Sequence, residues 1–121
     1  MNEEVCDFDL QIKGAAMQQP KTYRAFQEDH TAGCQAYENL GATAAEAGPL
    51  PPRIRELLKL GMSAALRAES AVQSHTHRAL DAGAAQDEIE HAIMLGVTTL
   101  GFPTMMTALA WAKEAIQNHE A

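Results

Sequence analysis

From Glu56 to Pro103 the apolar residues recur three and four positions apart, and glycine or proline punctuates the recurrence. Ile54, Leu57, Leu58, Gly61 and Ala65 fall on one face of a helix, just ahead of and into this run. Ala68, Ala71, His75 and Ala82 fall on the next, and Gly83 follows as a residue suited to a helix C-cap. Ile89, Ala92, Ile93, Gly96, Val97 and Leu100 make a third stripe. Its first turn holds Asp87 and Glu88, where the positive end of the helix dipole favours carboxylates. Gly101-Phe102-Pro103 then breaks the pattern. Composition agrees with helices. Only 5% of the residues are aromatic and alanine is abundant, whereas strands favour β-branched and aromatic side chains. The expected fold class is all-α, with about five to six helices.

The flanking chain divides at recognisable points. Residues 1–19 read as an N-terminal arm, because Gly14 and Gln18-Gln19-Pro20 interrupt the loose alternation of Val5, Phe8, Leu10 and Ile12. Pro20 suits the start of a helix with Phe26, His30, Gly33, Cys34 and Tyr37 on one side; Gly41 is a candidate end, and residues 42–48 read as either an extension or a loop. Gly48-Pro49-Leu50-Pro51-Pro52 is the clearest break. Later helices are expected over about Pro51–Leu66, Ala68–Ala82, Gln86–Thr99 and Pro103–Gln117. The last should turn Met105, Met106, Leu109 and Ile116 inward. Met62, Met94, Met105 and Met106 read as core rather than as the lining of a ligand pocket. A length of 121 residues suits one domain, expected over residues 20–121.

The formal net charge of -7 argues against non-specific binding to nucleic acid or to an anionic membrane. No long uncharged apolar run suggests a transmembrane helix. Met1-Asn2-Glu3-Glu4 lacks the basic-then-apolar layout of a signal peptide, so a cytoplasmic location is expected. Cys6 and Cys34 have neither metal nor redox spacing, and free thiols are the expectation in that compartment. Helices rich in alanine and poor in aromatics leave little core for a monomer, which predicts a homo-oligomer.

The ordered set Gly48-Pro49-Leu50, Arg55-Glu56-Leu57, His75 with Ala79-Leu80-x-Ala82-Gly83-Ala84, Glu88-Ile89 and Gly101-x-Pro103 resembles the carboxymuconolactone decarboxylase and alkylhydroperoxidase D-like superfamily. The resemblance covers roughly Gly48 to Ala115. It implies an alkylhydroperoxidase D-like helical fold with a central antiparallel hairpin that carries the site, assembled as a trimer or hexamer. It implies one of two chemistries: decarboxylation of a carboxylated lactone without a cofactor, or thiol-based reduction of hydroperoxides. Redox members carry two cysteines seven and four residues before the histidine that matches His75, and here those positions are Ala68 and Ala71. A peroxidatic thiol must ionise, attack peroxide and be resolved by a second thiol, and alanine does none of this.

Glu56 and His75 match a proton-relay pair of the redox members. The functional reading is a carboxylate that orients an imidazole, which moves protons; the structural reading is a hydrogen bond tying two helices together. Glu56 is expected off the buried stripe, partly desolvated, with its pKa raised. His77 lies about 200° round the helix from His75, which places it at the surface or a subunit contact and weakens any metal site. His91 is expected either to pair with Asp87 or Glu88 on its own helix or to share a cavity with His75. Ser74 is a candidate hydrogen-bond partner for a ligand. These residues suggest an acid–base lyase or isomerase acting on a small carboxylated or lactone-like molecule, with no cofactor. The alternatives are a peroxiredoxin-type activity, disfavoured by the two alanines, and a ligand-binding oligomer without catalysis.

Overall fold

A computed structural model describes residues 20–119 as helices and short connections, with no strand among them. The all-α expectation therefore holds. Seven helical segments follow one another: α1 (Lys21–Asp29), α2 (Thr31–Ala45), α3 (Pro52–Ala65), α4 (Glu69–Asp81), α5 (Gln86–Met94), α6 (Val97–Leu100) and α7 (Phe102–His119). They fall into two compact units that divide between Pro49 and Leu50, inside the proline-rich break. The expected arm, residues 1–19, lies outside the described residues.

The first unit holds α1 and α2. The single helix expected from Pro20 is two, because the backbone leaves helical geometry at His30 (φ -137°). The break leaves no orphan groups there: the His30 N–H donates to Phe26 O at 2.8 Å, and His30 O accepts from Cys34 N at 2.9 Å. Gly41 does not stop α2, which runs to Ala45. The inward residues are Cys34 and Glu38, while Phe26 and Tyr37 of the expected stripe are exposed. The Tyr23 hydroxyl donates to the Glu38 carboxylate and lies 3.4 Å from Cys34 Sγ. Cys34 is disulfide-bonded, contrary to the expectation of a free thiol.

The second unit is built on the α3–α4 hairpin, with α5 and α7 packed against it. Its core comprises Leu60, Ala64, Val72, Ala79, Ala84, Ile89, Ile93, Met105, Ala108 and Ala112. Alanine at 108, 112 and 115 gives α7 a smooth inner face that comes close to its neighbours. Both hairpin connections end in the same hydrogen-bond pattern. After α4, Ala84 N bonds Ala79 O and Gly83 N bonds Leu80 O, with Gly83 at φ 98°. After α3, Ala68 N bonds Ser63 O and Arg67 N bonds Ala64 O, with Arg67 at φ 57°. Each is a Schellman cap; the first has its glycine and the second carries an arginine in the left-handed position.

Three expectations about the helices and core of the second unit need correction. The inner face of α3 is Leu60, Ser63 and Ala64, whereas Leu58 and Ala65 of the expected stripe are exposed. The helix expected over Gln86–Thr99 is interrupted at Leu95 and Gly96, giving α5 and α6. Gly96 suits this tight place, since a Cβ there would sit 2.8 Å from Leu100 Cδ1. Of the four methionines read as core, Met105 is buried, and Met62, Met94 and Met106 are exposed.

Candidate active site

The rotated face of α3 brings Glu56 inward, one turn before buried Leu60. Opposite it on α4 is His75, one position before buried Thr76. His75 Nδ1 stands 2.8 Å from Glu56 Oε1, and each side chain is 18% exposed. The pair is thus shielded without being sealed.

Burial pushes the Glu56 carboxyl up, but the hydrogen bond and charge of His75, with Arg78 and Lys59 adding to it, prevail. The net result is a pKa below the usual carboxylate value, opposite to the rise expected from burial alone. An ionised carboxylate can only accept hydrogen bonds. His75 Nδ1 must then carry the proton that Glu56 holds. In the neutral imidazole this leaves Nε2 as the basic nitrogen. One helix orients the base and the other carries it.

Arg78 and Lys59 are the cations near Glu56, and no motif in the sequence places them there. Each lies three residues beyond a member of the pair, Lys59 after Glu56 and Arg78 after His75. That spacing puts neighbours on one helix face and was the available signal. Together they make the surroundings of the carboxylate positive.

The other sequence candidates lie elsewhere. Ser74 is partly exposed, a step of about 100° round α4 from His75. His91 is exposed on α5 and bonds to neither member of the pair. Its expected link to Glu88 does not form, because Glu88 Oε2 accepts from Arg53 of α3 at 2.7 Å and Glu88 Oε1 accepts from Ala85 N at 2.9 Å. His77 is not at the surface: it is 2% exposed, because α4 is packed on both sides, by α3 and by α7. Its Nδ1 lies 2.7 Å from Nδ1 of His119, the last residue of α7. No group of three metal-ligating side chains occurs among the described residues.

The sequence model of the carboxymuconolactone decarboxylase family matches residues 34–114. The fold is similar to the crystal structure of a Burkholderia xenovorans LB400 protein provisionally named a carboxymuconolactone decarboxylase. The TM-score is 0.68 at 22% sequence identity, over 92% of this chain and 92% of that one. No curated protein matches the sequence.

Proposed function

The chain belongs to the carboxymuconolactone decarboxylase family, and we propose that it performs acid–base chemistry, decarboxylation or isomerisation, on a small carboxylated or lactone-like molecule without a cofactor. The observation that carries this reading is the 2.8 Å bond between Glu56 and His75 in a largely shielded but open place. A lactone conjugated to the departing carboxylate contains its own electron sink. As carbon dioxide leaves, the electron pair of the broken C–C bond passes into the lactone carbonyl, giving an enolate. Protonated His75 then delivers a proton from Nε2 to carbon, and water restores that proton afterwards. Glu56 keeps its hold on Nδ1–H throughout, so the ring need not reorient between steps. The positive charge of Arg78 and Lys59 beside Glu56 favours an anionic substrate over a neutral one.

Thiol-based peroxide reduction has no support at this position. Ala68 and Ala71 precede His75 where the two sulfurs would stand.

The direct test is to follow carboxymuconolactone by absorbance with purified protein. Turnover well above the uncatalysed rate is expected, and His75→Ala should reduce kcat by about 10²- to 10⁴-fold, the range for a positioned acid–base group. Wild-type turnover no faster than the uncatalysed reaction would remove this substrate. Turnover unchanged in His75→Ala would remove the mechanism.

We also propose that the protein assembles as a trimer or hexamer. Leu58, Met62 and Leu66 stand exposed along one side of α3, and Met94, Leu95, Phe102 and Met106 are exposed from α5 to α7. Large apolar side chains left exposed in this number favour association.

A further inference from the structure

A second cluster of titratable groups lies at the far end of α4 and has no part in the chemistry above. His77 Nδ1 and His119 Nδ1 are 2.7 Å apart, with their ring centroids at 4.9 Å. His119 Nε2 stands 3.1 Å from Asp81 Oδ1, one turn along α4 from His77. His119 ends α7, so the pair and its carboxylate fasten the last turn of that helix to α4.

We propose that His77, His119 and Asp81 form a pH-sensitive latch that holds the end of α7 to α4 while the two imidazoles share a proton and releases it when both are protonated. The argument is one of donors and acceptors. With Asp81 accepting from His119 Nε2–H, a neutral pair has one Nδ1–H and one Nδ1 lone pair facing each other. A singly charged pair preserves that bond with His119 as the cation. A second proton leaves two N–H groups face to face and two positive charges a ring's width apart. Asp81 can compensate one of them, and His77 is too buried for water to compensate the other.

The charges acting on His77 are His119 from α7 and Asp81 from its own helix. Among the described residues no charged group of α3, α5 or α6 acts on it. Burial, followed by the charge of His119, holds the His77 pKa below the usual imidazole value, and the opposing pull of Asp81 is weaker. The second proton is therefore resisted while the latch is closed and accepted when it opens. Release accompanies a fall in pH below the ordinary imidazole range, about 6.5. A shallow depression lined by Leu80, Gln86, Ile116, Gln117 and His119 adjoins the latch, so the turn that moves is also a wall of that depression.

The test is amide hydrogen exchange of residues 115–119 in the full chain at pH 7.5 and pH 5.0, corrected for intrinsic exchange rates. Protection of that turn should fall severalfold at the lower pH. In His119→Gln the dependence should vanish. Equal protection at both pH values in the wild type, or the same loss in His119→Gln, would overturn the latch. Should that variant fail to fold, ring NMR of the wild type decides. Two coupled protonation steps, the second coinciding with the loss of protection, support the proposal, and two independent titrations with unchanged protection refute it.

Discussion

At the scale of single residues, Glu56 illustrates how local surroundings reverse a simple expectation. Burial alone raises a carboxyl pKa, and the partner imidazole with two nearby cations lowers it further than burial lifts it. A carboxyl whose folded pKa lies below its unfolded one stabilises the protein above the unfolded value, and that contribution is lost as pH falls through the folded value. Glu56→Gln should therefore flatten the acid limb of the stability curve. Urea unfolding at pH 6 and pH 3.5 measures this; an equal loss in wild type and variant would mean that the pair is not linked to folding. The pairing itself was legible, because a resemblance over nineteen residues of spacing put the two groups on adjacent helices. The buried partnership of His77 and His119 was not. Forty-two residues separate them, and no local pattern reports that α7 will close over the second side of α4.

At the scale of elements, glycine and proline marked most boundaries; the two breaks not expected are at His30, which has neither, and at Leu95-Gly96, where a single glycine inside an apolar stripe does not announce one. Nothing about His30 announces that α1 ends, yet its backbone partners on both sides make the turn inexpensive. The phase of α3 was misjudged for a different reason. Leu57, Leu58, Leu60 and Met62 supply apolar residues to more than one face, so periodicity alone did not single out the side with Glu56, Ser63 and Ala64. The hairpin turn offers a clean experiment. Arg67 occupies a left-handed conformation that costs an L side chain about 1 kcal/mol, whereas glycine adopts it freely. Arg67→Gly should raise stability by about 0.5–1 kcal/mol in urea unfolding, despite the extra freedom of an unfolded glycine. A loss of that size would show that Arg67 contributes more by contact than it costs in backbone strain.

At the scale of the whole molecule, the core is small and alanine-rich, and much large apolar surface stays outside it. No described helix is long and apolar enough to cross a membrane. Self-association is the outlet we propose for that surface, and light scattering should give the mass of three or six chains; a monomer at micromolar concentration would contradict it. The sequence indicated the helical class and the family, because both rest on spacing along the chain. It did not indicate which apolar residues remain outside, since Met62, Met94 and Met106 are as apolar as buried Met105. The entire functional account turns on how one helix of the hairpin presents the His75 ring of the other. The ¹⁵N resonances of that ring at pH 8 read it directly. We predict a protonated Nδ1 and a lone pair on Nε2 in the wild type, with the preference weakened in Glu56→Gln. A proton on Nε2 with the lone pair on Nδ1 in both proteins would contradict the account.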